Sequence, residues 1–417
     1  MNKDHPMSTR RHLLRATLAG ATGAALAPWA TLSVAARPAH LVDLAANRFV
    51  FLILRGGMDG LTAVPAIGDP AFAEARAALG QLGAPALSLQ GPFFLHPLLP
   101  QLHAMFGRGE ATVLHAVGLP YRERSHFDAQ QVLESGGTRP HELSTGWLGR
   151  ALAASTGTAA LRAVALETAV PLVLRGPTAV DTWAPSALPE PSADLVSRLG
   201  TLYRRDPALA QALARARGLR EDPEMSGLAG MAAGRGGMAR GGGGRGMAVA
   251  LAHKAAEFLK KDTQVAVLEL GGWDSHANQV APQGAMSNNL RTLDATLAAL
   301  REGLSASDAA NAWSRTVVLV ATEFGREVAI NGTQGTDHGS GGVAVVLGGA
   351  VKGGRVLADW PGLARHERFE GRDLRITTDL RAALRPILAD HLGVSRAALN
   401  GSVLPGSADI KPLDLLA

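Results

Sequence analysis

Five almost unbroken apolar runs constrain this 417-residue chain more than any other feature: "FVFLIL" at 49–54, "ATVLHAV" at 111–117, "VAVLEL" at 265–270, "TVVLVAT" at 316–322 and "VAVVL" at 343–347. Apolar runs of five to seven residues without polar alternation suit strands covered on both faces. Helical patterns separate them: "PAFAEARAAL", "HPLLPQLHAMFGRG", "SHFDAQQVLESGG" with Ser125 at its cap, "MAVALAHKAAEFLKK", "NNLRTLDATLAALREGL" and "TDLRAALRPILADHLG". "PSADLVSRLGTLYRRDPALAQALARARG" reads as a helix broken at Pro207, and "LRAVALE" and "PLVLRG" read as two further strands. The expectation is an α/β fold with a mostly parallel central sheet and helices on both faces. Ligands of such sheets gather at the carboxyl ends of the strands, near a topological switch point.

Polar residues with chemical potential stand at those ends. Asp59 follows the first run in "RGGMDGL", and Ser125 opens a helix after the second. Asp274 and His276 follow the third in "GGWDSHANQ", Glu323 follows the fourth in "TEFGRE", and His338 lies in "GTDHGSGG" before the fifth. Each has a plain structural reading. Asp59 can close a glycine turn, Ser125 can cap its helix, Asp274 and His276 can brace a loop, and Glu323 can pair with Arg326. Their shared placement favours one crevice, with His126 and Asp337 as auxiliaries. The chain has no cysteine, so any metal must be held by His, Asp and Glu. Such donors suit one or two divalent ions of zinc, manganese, magnesium or calcium. An ion beside Ser125 would lower the hydroxyl's proton affinity and neutralise a phosphoryl or sulfuryl oxygen. Arg55, Arg122 and Arg124 flank the same positions and could hold the remaining anionic oxygens.

Residues 1–35 have another character. Arg10 and Arg11 precede a weakly apolar Ala/Leu/Gly run and small residues at 33–36, the layout of a twin-arginine export signal. The expected partner is the export machinery, the expected location the periplasm or beyond, and the expected mature domain residues 36–417. The formal net charge of +5 falls to about +2 without this segment, since Lys3, Arg10, Arg11 and Arg15 outweigh Asp4. A near-neutral remainder gives no support to nucleic-acid binding. After residue 40 no apolar stretch approaches the ~20 residues of a membrane-spanning helix. Residues 226–246, dominated by glycine, read as a flexible loop; three arginines without aromatics make a poor RNA-binding segment.

"LRGGMDGL", "HAVGLPYRERSHFDAQ", "TGWLGRAL", "GGWDSHANQ" and "TEFGRE…GTDHGSGG", in that order, resemble the bacterial family known as domain of unknown function 1501. The resemblance runs from about residue 48 to about 395. It implies membership of the alkaline phosphatase and sulfatase superfamily, with a three-layer fold and metals at the strand ends. Transferred by resemblance, Asp59 matches the first-strand aspartate, Ser125 the nucleophile, Asp274 and His276 a later metal-binding pair, and His338 the final metal histidine. The superfamily has an adjacent Asp-His pair where this chain has Glu323-Phe324, so one nitrogen ligand is missing. Two functions follow as expectations. One is a metal-dependent hydrolase of a small or polymeric anionic ester, phosphate or sulfate; the other is a non-catalytic exported binding or scaffold protein with a degenerate metal crevice.

Overall fold

The computed structural model describes residues 46–155, 162–185, 192–206, 209–210, 213–214, 243–261, 263–305 and 311–417. The expected export signal and most of the expected glycine-rich loop lie outside the described residues. The end of that loop, from Gly243, already forms the first turn of a helix. The chain divides into two units. In the smaller, which takes in 181–238, Ser192 caps the helix Ala193–Leu202, and Leu199, Tyr203 and Leu213 pack together. The site described below lies wholly in the larger unit, residues 39–166, 170–180 and 239–417.

The apolar runs become the sheet of that unit. Its strands are β1 (Arg48–Leu54), β2 (Ala111–Gly118), β3 (Ala163–Ala165), β4 (Val265–Leu270), β5 (Thr316–Thr322), β6 (Gly342–Leu347), β7 (Arg355–Leu357) and β8 (Thr378–Asp379). Their order is β7-β2-β6-β5-β1-β4-β3, with β8 also on β2. All pairings are parallel except those of β6, which runs antiparallel to β2 and β5. Leu54 is level with Leu270 on one side and Thr322 on the other. The segments leaving β1, β4 and β5 therefore emerge side by side. β2 ends at the same edge, and antiparallel β6 begins there.

Both faces of the sheet are covered, which is why its strands carry no polar alternation. Phe49, Phe51 and Ile53 face Trp147 and Leu148 on the helix Trp147–Ala154, together with Leu384 and Ile387 near the C-terminal helix Arg381–Pro386. Trp147 is fully buried, 5.4 Å from the Phe51 ring, and its indole N–H donates to Leu133 O at 3.0 Å. Val50, Leu52 and Leu54 are equally buried toward the opposite face, where the helices Pro100–Gly107, Gly243–Lys260 and Ala285–Ser305 pack. Asp294 ties that layer together by accepting from the Gln101 and Leu102 N–H groups at the start of Pro100–Gly107.

Two sequence expectations fail for local reasons. "PLVLRG" forms a 3-10 turn, Leu172–Leu174, rather than a strand. Pro171 has no N–H to give a ladder, and the Val173 N–H is taken by the Glu134 carboxylate at 3.0 Å. The C-terminal helix loses α geometry after Pro386 and widens into a π turn, Ile387–His391, as expected where a proline removes a backbone donor.

Candidate metal centre

Three segments meet at the carboxyl edge of the sheet. His126 is the first residue of the helix His126–Ser135 that follows β2. Asp274 and His276 come from the loop after β4, and His338 from the loop entering β6. His126 Nε2 and His276 Nε2 each lie 3.0 Å from His338 Nε2. Asp274 Oδ1 is 2.9 Å from His276 Nε2 and 3.2 Å from His338 Nε2, while Oδ2 is 3.4 Å from His126 Nε2. Three imidazoles and a carboxylate thus point at one another, with Asp274 exposed and the rings partly so.

The remaining ring nitrogens explain why this arrangement needs a cation. His126 Nδ1 faces Glu323 Oε1 at 2.9 Å, His276 Nδ1 faces Asp337 Oδ1 at 3.0 Å, and His338 Nδ1 faces the Arg124 carbonyl at 3.0 Å. All three partners only accept, so each Nδ1 carries the proton and donates it. Each ring then turns its Nε2 inward, and a neutral ring presents a bare lone pair there. Lone pairs 3 Å apart repel unless a positive charge sits among them. Histidine with its outer nitrogen held by a carboxylate or carbonyl is the usual support of a metal ligand. His126, Asp274 and His338 also offer ligand atoms within 4.8 Å of one another. The donor set fits a divalent ion.

Charges around the cluster are tuned to match. Burial would raise the Asp274 carboxyl, but Arg326 Nη1, 2.7 Å away, holds it below the usual range. Arg326 itself is buried and anchored on the Thr336 carbonyl and hydroxyl. Glu323 is likewise held low against the effect of burial, by His126 and then Gln130. The Glu323 hydrogen bond in turn raises His126. His338 is lowered by burial and by the His126 charge. Beside them the Phe324 ring packs 4.7 Å from His126 and 5.1 Å from His338. Gly57, at φ 69°, makes room for it: a Cβ there would lie 2.5 Å from Phe324 Cε2.

Residues 105–395 match the family model described as "Protein of unknown function (DUF1501)". The chain belongs to the DUF1501 family. The match covers most of the chain but begins after "LRGGMDGL". No curated protein matches it in sequence. Among solved structures it is similar to the PsFucS1 sulfatase from Pseudoalteromonas sp., at 10% identity and TM-score 0.41, over 89% of this chain and 71% of that one. It is also similar to the C-terminal periplasmic domain of EcEptC from Escherichia coli in complex with Zn, at 11% identity and TM-score 0.37, over 88% of each chain. A third is the lipoteichoic acid synthase LtaP from Listeria monocytogenes, at 10% identity and TM-score 0.37, over 92% and 81%. Those activities belong to those proteins.

In this DUF1501 chain Asp274, His276 and His338 meet, and His126, named only as an auxiliary from sequence, stands among them as an equal. Glu323 and Asp337 lie one layer out. Glu323 is held outward: Oε1 accepts from the Gly56 N–H, His126 and Gln130, and Oε2 from Thr322 Oγ1, which also donates to the Leu54 carbonyl. Arg326 pairs with Asp274 rather than with Glu323. Asp59, expected as a ligand, is buried and saturated elsewhere. It caps the turn Gly60–Ala63 through the Leu61 and Thr62 N–H groups, and also accepts from Thr62 Oγ1, Arg76 and Gln279. Arg55 holds no anion site, since Glu134 and Glu269 take its guanidinium. Glu370 and Asp373 take that of Arg124, and Arg122 lies over the Phe369 ring at 5.3 Å.

Ser125 occupies the N-cap position with extended backbone but makes no side-chain cap bond. Four residues earlier, the Tyr121 phenol donates to Asp128 at 3.2 Å. Sequence reasoning missed Gln130, Gln279, Thr336 and the pairing of Arg326 with Asp274. Gln279 closes the "GGWDSHANQ" motif, and that motif is the one signal that could have flagged it.

Proposed function

We propose that this protein hydrolyses phosphate or sulfate esters outside the cytoplasm, using a divalent ion held by His126, Asp274, His276 and His338. One observation carries the reading: three histidines whose outer nitrogens are committed turn Nε2 onto one carboxylate. A bound ion there would supply positive charge to neutralise a developing oxyanion. The chain's own groups do the rest. Ser125 stands one residue before His126 at the start of a ten-residue helix, where unpaired N–H groups and the helix dipole favour an anionic ester. Its Oγ would form the bond to phosphorus or sulfur as the ester oxygen departs. Asp128, three residues after Ser125 and accepting from Tyr121, is the carboxylate that would take the serine proton. Export rests on residues 1–35; among the described residues no helix is long and apolar enough to cross a membrane.

A second reading has its own support. Arg55 and Arg124, the cations that would grip an anionic ester, are already paired with carboxylates. That favours a binding protein with an ion in its crevice. Turnover of aryl phosphate and aryl sulfate by the ion-loaded protein, and by Ser125→Ala, separates the two. Hydrolysis that the ion supports and Ser125→Ala abolishes upholds the enzyme. Ion-loaded protein with no turnover of either ester removes it, and undiminished turnover in Ser125→Ala removes the serine as nucleophile.

A further inference from the structure

We infer that the cluster is a mononuclear site for a borderline transition-metal ion of the zinc class, and that it rejects calcium and magnesium. This rests on the metal-binding part of the reading above. Sequence left the ion open because the candidate ligands, Asp59, Asp274, His276, Glu323 and His338, were mostly carboxylates. The structure changes that balance. Asp59 is saturated by protein donors, Glu323 is held in the outer layer by its own, and His126 enters. Three of the four inward groups are now imidazoles.

Calcium takes six to eight oxygen ligands and magnesium an octahedron of oxygens, mostly from water. A set that is three-quarters nitrogen offers neither. Imidazole is a favoured ligand of zinc and its neighbours, which take three or four protein donors and can expand to a further position for a substrate oxygen. The outer layer points the same way. Glu323, Asp337 and the Arg124 carbonyl each hold a histidine by Nδ1, which raises the basicity of Nε2. This device strengthens a nitrogen ligand and has no use in an all-oxygen cage.

Phe324 sets the number of ions. Its ring lies against His126 and His338 and is wedged over Gly57, so an apolar surface fills the flank where a second ion would need ligands. The next carboxylate on that side, Glu323, is buried and its Oε1 is held outward by the Gly56 N–H, His126 and Gln130. Arg326, touching Asp274 at 2.7 Å, adds a fixed positive charge that further disfavours a second cation.

The test needs no substrate. The full chain is stripped with chelator and titrated by calorimetry with zinc, manganese, magnesium and calcium chlorides, and thermal shift and metal content are recorded for each. The expected result is one zinc per chain, bound roughly 100-fold or more tighter than magnesium or calcium. His126→Ala and His276→Ala should each weaken zinc by a similar factor, with His126→Gln as a milder second variant and circular dichroism confirming the fold. Calcium or magnesium bound as tightly as zinc, two ions per chain, or unchanged zinc affinity in folded His126→Ala and His126→Gln would each overturn the inference. Ester turnover supported by calcium alone would sink it while leaving the hydrolase standing. Tight zinc without turnover would do the reverse.

Discussion

Two polar clusters sit at the same edge of the sheet and look alike in sequence, yet one is closed and the other is not. In the first, Asp59 is surrounded by donors: two backbone N–H groups, Thr62, Gln279 and Arg76, all buried. Burial pushes the Asp59 carboxyl up, but Arg76 and its other donors more than compensate, and it stays below the usual range. In the second, His126, His276, His338 and Asp274 present acceptors to acceptors. Gln279 joins the two. Its amide N–H₂ donates to Asp59 and its oxygen accepts from Ser275 and Thr336, the latter a contact of Arg326. An aspartate beside glycines therefore says little by itself. Whether it is matched by donors decides if it braces the fold or awaits a cation.

The strongest way to break this contrast is Asp59→Ala. It leaves the fully buried Arg76 guanidinium without its carboxylate, and losing one partner of a buried pair costs about 3–5 kcal/mol. Urea unfolding of the ion-free protein measures it. Wild-type stability with altered ion binding would show that the two clusters had been assigned the wrong way round.

A histidine of the closed kind gives the next largest effect. His115 is buried, with Nε2 on the Val64 carbonyl at 2.9 Å and Nδ1 accepting from the Ala116 N–H at 2.9 Å, so it is neutral and needs no cation. Burial lowers it to about 4. The unfolded chain binds this proton near pH 6.5 and the folded chain only near 4, so stability falls as pH drops through that window. The loss from this one group approaches about 3 kcal/mol at the acid end. Ion-free protein whose stability stays flat from pH 7 to 4.5 would contradict the assignment.

Ligand loss should behave in the opposite way. His338→Ala is expected to leave ion-free stability nearly unchanged and to abolish stabilisation by added zinc. In the wild type that stabilisation is about 2.7 kcal/mol at a hundredfold excess over Kd. A melting temperature that still rises with zinc in His338→Ala would remove this histidine from the site. The smallest expected effect belongs to the outer layer. Asp337→Asn should weaken zinc by about 10–100-fold while one ion still binds, the usual result of loosening a carboxylate behind a ligand histidine. A complete loss would instead make Asp337 a direct ligand.

Much of the frame was legible beforehand. "ATVLHAVG" is a strand over all its residues, and the runs at 49–54, 265–270, 316–322 and 343–347 all lie in the sheet. Continuous burial on two faces leaves an apolar run that no other element of that length needs. "PLVLRG" misled because its composition is strand-like, while its backbone donor is claimed by Glu134, far away in sequence. The site was half legible. Asp274, His276 and His338 stand out by glycines and chain position, whereas His126 has only an auxiliary place until its ring is seen against His338.

The sequence alone determined a parallel-rich α/β sheet and the edge at which its polar residues would gather, because apolar periodicity and strand direction are local properties. Only the tertiary structure decided which carboxylates were already satisfied. Asp59 met Arg76, Glu323 met His126 and Gln130, and Asp274, paired on one side with Arg326, also faces three imidazoles. Apart from Asp274 and His276, which are neighbours in the chain, those pairings join residues 17 to 197 positions apart, and the free energy of a buried charge depends on the groups folded against it.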